Sequence, residues 1–228
     1  MRRPTVISVG AIALLAISCH RQREPSAEVS VAPTCPPGGR PAAELQWFRE
    51  NAQTLEGAAG LYSLSDSVLP DTVWEVRLRH HRWPPDDVKY LVRVRVDGAS
   101  VSGDLVASWF VVSGPQPVYP GPCKSERVLD RTATCTADLG GAVSWAEVLA
   151  KLEGAQVWRL PDQSLLPRQR LVVDGGAVSV EVRQGHCYRV YSYGTPGGDE
   201  EEAEYRHAAT LIGVIRATVE AWGPRRRR

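Results

Sequence analysis

The chain has 228 residues, of which 43% are hydrophobic and 23% charged, and its formal net charge is +1. This suffices for one ordinary globular core and excludes a disordered polymer. A balance so close to neutral also excludes the surface-wide positive field that gathers DNA or RNA, so no nucleic acid is expected as a partner.

The N-terminus reads as an export signal over residues 1–18. Arg2 and Arg3 form a positive start, Val6 to Ile17 is an apolar run too short to cross a bilayer comfortably, and small residues close it at Ala16 and Ser18. Leu14-Leu15-Ala16-Ile17-Ser18-Cys19 resembles the lipobox of bacterial lipoproteins, in which the cysteine is diacylated and becomes the mature N-terminus. It departs from that pattern at Ala16, where leucine is usual, with Leu15 one place early. The resemblance implies lipidation at Cys19 and attachment to a membrane through that lipid. With His20 rather than aspartate following, it implies an outer-membrane lipoprotein of the cell envelope, facing the periplasm or the exterior. Cleavage by ordinary signal peptidase, which Ala16-x-Ser18 also fits, would instead release a soluble secreted protein.

With Cys19 set aside, Cys35, Cys123, Cys135 and Cys187 remain, an even number that in an oxidising compartment predicts two disulfides. Four cysteines allow three connectivities. Cys123 and Cys135 are close in sequence within a turn-rich stretch and are paired first, which leaves Cys35 with Cys187.

Residues 19–41 lack bulky apolar side chains and read as a flexible tether, followed by a single domain over 42–224 and a basic tail at 225–228. Leu45, Phe48, Ala52 and Leu55 recur at helical spacing, which predicts a first helix over 42–55. Three strands follow. Val73 to Trp83 sets Trp74, Val76 and Leu78 against Glu75, Arg77 and Arg79, and Lys89 to Val96 sets Tyr90, Val92, Val94 and Val96 against Arg93 and Arg95. The third, Asp104 to Val112, alternates less strictly and is expected to be covered on both faces. Gly114 to Cys135 is expected to be irregular. Ser144 and Glu147 form a capping box for a short second helix that stops at Gly154, and Val157 to Pro161 reads as a brief strand.

Residues 170–193 read as a β-meander. Val178, Val180 and Val182 alternate with Ser179, Glu181 and Arg183, as in a strand buried on one face, and turn residues on either side predict antiparallel pairing with both sequence neighbours. A last helix over 200–222 carries Ala208, Leu211, Ile212, Ile215, Val219 and Trp222 on one face. The order predicts an α+β fold, with an antiparallel sheet of about five to seven strands covered by two or three helices. Trp158 to Asp162, Glu181 to Arg183 and Tyr188-Arg189-x-Tyr191-x-Tyr193 are similar to stretches in uncharacterised exported bacterial proteins, a resemblance that implies no activity.

No catalytic constellation emerges. His80 and His81 are adjacent in a strand and point to opposite faces. Glu204-x-x-His207 is one half of a carboxylate-bridged di-iron motif without its second copy, so neither metal nor cofactor is expected. Ala99-Ser100-Val101-Ser102 lacks the second glycine of a nucleophile elbow, Cys187 beside His186 belongs to the even cysteine set, and the acids at 199–204 suit a helix N-terminus. Surfaces are the better candidates. Arg189, Tyr191 and Tyr193 form an aromatic-basic stripe on one face of their strand, and Arg77, Arg79, Arg93 and Arg95 form a basic patch suited to an anionic ligand or an acidic envelope protein. The reading is an exported envelope protein with a ligand- or partner-binding domain. A secreted hydrolase and a structural envelope lipoprotein are the alternatives.

Overall fold

The strand periodicities are realised in one antiparallel sheet. The structure, a computed structural model, describes residues 55–81, 88–110, 121–129, 131–166, 177–194 and 202–223. By its internal contacts the chain divides into Met1–Ala32 and Pro33–Arg228, and every described residue belongs to the second unit. The expected signal peptide, Cys19, Cys35, the tether and the basic tail lie outside the described residues.

A helical segment at 55–59 (α1) leads through an irregular stretch into β1 (Val73–His81), β2 (Lys89–Asp97), β3 (Ser100–Phe110), β4 (Cys123–Leu129) and β5 (Thr132–Ala137). Helix α2 (Trp145–Gly154), β6 (Ala177–Gln184), β7 (Cys187–Gly194) and α3 (Ala203–Trp222) complete the order. The seven strands run β4-β5-β3-β2-β1-β6-β7, every neighbouring pair antiparallel. The fold is α+β, as the sequence predicts.

Register sorts the side chains. Val76 and Leu78 stand opposite Val94 and Val92 on one side and Val182 and Val180 on the other, so the alternating valines of three strands merge into one apolar face. Helices α2 and α3 bury it with Val148, Leu152, Leu211, Ile212 and Ile215. Each such side chain contributes roughly 1.5–3 kcal/mol when fully buried. Gly103, opposite Val94, lets α2 approach, since a Cβ there would lie 2.6 Å from Trp145 Cδ2. In β3, residues 105–109 are all buried, in agreement with their weak alternation. The Ser144 hydroxyl accepts from the Glu147 amide at 3.4 Å and so caps α2.

Three expectations are corrected. Residues 123–137 are a β-hairpin rather than an irregular stretch, because β5 gains a ladder from β3 and presents Ala133 and Cys135 to the core. Residues 157–161 are not a strand; they follow α2 as turns whose carbonyls are taken by side chains of β7. Strand β6 pairs with β7 as expected, but its other partner is β1, while the expected strand at 170–173 lies outside the described residues.

A fourth difference concerns the polar face. The alternation of β1 and β6 predicts a solvated side, yet Glu75, Arg77, Arg79, Ser179, Glu181 and Arg183 are all buried. Residues 55–72 lie across them. They seat in two small apolar clusters, Leu55 with Leu91 and Val106, and Leu64 with Leu69 and Val73, and leave the charged side chains enclosed between. Period-2 alternation marks two chemically different faces, and it carries no information on whether the polar one is covered.

Candidate functional site

The enclosed charges form one connected network. Arg77 Nη1 donates to Glu56 Oε1 at 2.5 Å and to the Tyr62 carbonyl at 2.8 Å, and its Nε donates to Glu75 Oε1 at 2.7 Å. Arg79 Nη2 pairs with both Glu56 and Glu181. Tyr188 donates its hydroxyl proton to Glu181 Oε1 at 2.5 Å, and Tyr62 donates its own to Glu75. Towards the outside, Arg93 Nε lies 3.1 Å and Arg95 Nη1 3.6 Å from Glu75, and Arg93 also reaches Asp104 at 3.3 Å. Charges buried this deeply persist only when paired and hydrogen-bonded.

Burial and pairing move the protonation equilibria. Removal from water pushes the Glu56 carboxyl up to about 7; Arg79 opposes that rise, and nearby Glu181 adds to it. Burial likewise raises the Tyr62 and Tyr188 phenols, reinforced by Glu75 and Glu181 respectively. For Arg77, burial disfavours the charge, but Glu56 and Glu75 outweigh it and hold the guanidinium above its usual value.

The stripe on β7 does not face solvent. Arg189, Tyr191 and Tyr193 are 5%, 0% and 0% exposed, which corrects the expected binding surface. They stand opposite Val182, Val180 and Val178, on the helix-covered face of the sheet. Their polar ends grip the turns after α2. Arg189 donates to the carbonyls of Trp158 and Leu160, the latter at 2.8 Å, and Tyr191 and Tyr193 donate to those of Val157 and Pro161 at 2.6 Å each. From the same strand the Ser192 and Gly194 amides donate to Asp162 Oδ2 at 2.9 Å and Gln163 Oε1 at 2.6 Å. The result is a buckle that fastens residues 157–163 along the outer edge of the sheet. Burial lowers the Arg189 pKa and raises those of Tyr191 and Tyr193.

Arg77 and Arg79 are corrected in the same way. They are enclosed beneath residues 55–72, whereas the Arg93 and Arg95 side chains keep 18% and 26% of their surface accessible. The structure therefore brings the four arginines into one network but leaves only the β2 pair in reach of solvent. Glu56, Glu75 and Glu181, which organise that network, were missed by sequence reasoning. The signal available was the alternation of Glu75 with Arg77 and of Glu181 with Arg183 on strands that proved to be neighbours.

Cys123 and Cys135 form the expected disulfide, with Cα atoms 5.5 Å apart. Cys187 is also disulfide-bonded, and Cys35, its expected partner, lies outside the described residues. Among the described residues no group of three or more His, Cys, Asp or Glu side chains is placed to hold a metal ion. Between α2 and α3 an open groove of about 130 Å³ is lined by apolar residues such as Val148, Val214 and Ala217, with Glu147 and Lys151. Among the described residues no helix is long and apolar enough to cross a membrane. Comparison with protein-family models, with curated proteins and with solved structures finds no match to this chain.

Proposed function

We propose that the protein is exported to the bacterial cell envelope, anchored by lipid on Cys19, and that its α+β domain binds an envelope partner or anionic ligand. The observation that carries the export reading is the Cys123–Cys135 disulfide, because such bonds persist in oxidising compartments and this one follows an export-type N-terminus in the same chain. The bonded state of Cys187 supports it independently. The partner surface is Arg93 and Arg95, whose side chains keep access to solvent at the margin of the buried network.

The test is intact mass and membrane fractionation of the protein from a bacterial host, beside a Cys19→Ser variant, with and without reductant and alkylation. A diacylglycerol increment on a chain beginning at Cys19, lost in the variant, with four thiols appearing only on reduction, is the expected result. An unlipidated soluble product with a free Cys187 thiol refutes the anchor and the disulfide set together.

A further inference from the structure

The two edges of the sheet are finished differently. At β7 the outward Ser192 and Gly194 amides donate to Asp162 and Gln163, so residues 157–163 close that edge. At the other edge β4 pairs with β5 on its inner side, and among the described residues no strand pairs with its outer side. Lys124 to Leu129 are all exposed, Val128 at 71% and Leu129 at 50%. A hairpin with so little burial is marginal by itself. Here the Cys123–Cys135 disulfide staples one end, and the pairing of Leu129 with Thr132 closes the other. An edge strand held in place without a ladder on its outer side is a preformed template for a further strand.

The order of side chains along β4 selects the occupant. When a strand pairs antiparallel with its own copy and both keep the same face of the sheet, the two-fold axis passes through one residue position, which then faces itself. Centring on Lys124, Glu126 or Arg127 sets like charges face to face, and centring on Val128 sets Glu126 opposite another acid, Asp130. Centring on Ser125 sets Lys124 opposite the partner's Glu126 and Glu126 opposite the partner's Lys124, and it brings Val128 beside the partner's Pro122. A lysine and a break in register, here between Cys123 and Ser125, ordinarily guard an edge against indiscriminate pairing. On β4 the lysine is answered by an acid two residues on, so the same guard admits the register about Ser125.

We propose that β4 is a homodimer interface, at which two copies of this chain pair antiparallel about Ser125 and join their seven-stranded sheets into one. Because residues 157–163 close each β7 edge, the assembly stops at two chains instead of growing into a fibre. The contact is one strand wide and belongs to the small, transient class of interfaces. Its axis runs perpendicular to the sheet, so Arg93 and Arg95 of both copies share one face. A partner that engages those arginines, as proposed above, then meets two sites at once.

The test is sedimentation velocity of the purified protein, in detergent where Cys19 is acylated, from about 1 μM to about 1 mM. The wild type is compared with Lys124→Glu, with Glu126→Lys and with the double variant that carries both. The wild type passes from monomer to dimer over this range. Each single variant sets like charges opposite one another twice and weakens the dimer on the order of tenfold or more. The double variant restores it. An equimolar mixture of the two single variants also associates, because each chain then meets the opposite charge on the other. Both positions are exposed, so the substitutions leave the core untouched. A wild type that stays monomeric throughout overturns the proposal. So does a dimer indifferent to the single reversals, whose interface lies elsewhere, and so does a loss that neither the double variant nor the mixture repairs.

Discussion

The most direct test of the β7 buckle is Arg189→Met. Arg189 is 5% exposed; among the described residues its guanidinium meets the carbonyls of Trp158 and Leu160 and the Tyr191 ring, 5.5 Å away, and no carboxylate. Two opposing quantities decide the outcome. The variant loses two hydrogen bonds from a charged donor, worth roughly 1.5–3 kcal/mol each, and leaves two carbonyls without that donor. It also recovers the desolvation cost of the buried cation, on the order of a few kcal/mol, while methionine restores most of the aliphatic volume. The losses outweigh the recovery, and a net destabilisation of about 2 kcal/mol is expected. For a domain of this size, with a urea dependence of about 2 kcal/mol per molar, that lowers the unfolding midpoint by about 1 M. Equilibrium urea unfolding measures it, with tryptophan fluorescence as the probe, because Trp158 lies edge-on against Trp74 at 4.3 Å between centroids and reports directly on the fastened turn. A midpoint within about 0.2 M of the wild type would refute the reasoning. The turns after α2 would then hold without the guanidinium.

Other outcomes follow from the same geometry. Tyr191→Phe removes only the hydroxyl bonded to the Val157 carbonyl and should cost about 1–2 kcal/mol in the same assay. Leu78→Ala, at a fully buried position between β2 and β6, should cost about 2–5 kcal/mol, read as a lowered thermal midpoint. Replacing Cys123 and Cys135 together by alanine frees a loop of 12 residues' separation and should lower stability by about 3 kcal/mol, read as a lowered thermal midpoint. Gly185→Ala forces a side chain onto a φ of +52° with Asp71 Oδ1 2.6 Å from the new Cβ, and should cost about 1–2 kcal/mol.

Much of the fold is legible in the residues themselves. The alternation in β1, β2 and β6 reflects a period that only a pleated strand has, Gly185 supplies the positive φ of the turn between β6 and β7, and Ser144 with Glu147 announces α2. The alternation of Thr132, Thr134 and Thr136 with Ala133, Cys135 and Ala137 was present in the stretch expected to be irregular. Prolines and glycines upstream outweighed it.

The candidate site was legible only as residue types. The sequence by itself determined which side chains share a strand face, because that depends on local backbone geometry. It also paired Cys123 with Cys135, because a short separation makes closure easy. Only the tertiary structure decided what lies over each face. Arg77 and Arg79, which would belong to an open basic patch on a bare sheet, are enclosed because residues 55–72 fold back across them with Glu56. The tyrosines of β7 become core side chains because α3 brings Tyr205 against Tyr193, ring centroids 5.9 Å apart. Whether a polar face meets water or another segment depends on contacts between residues far apart in sequence, and no local period encodes them.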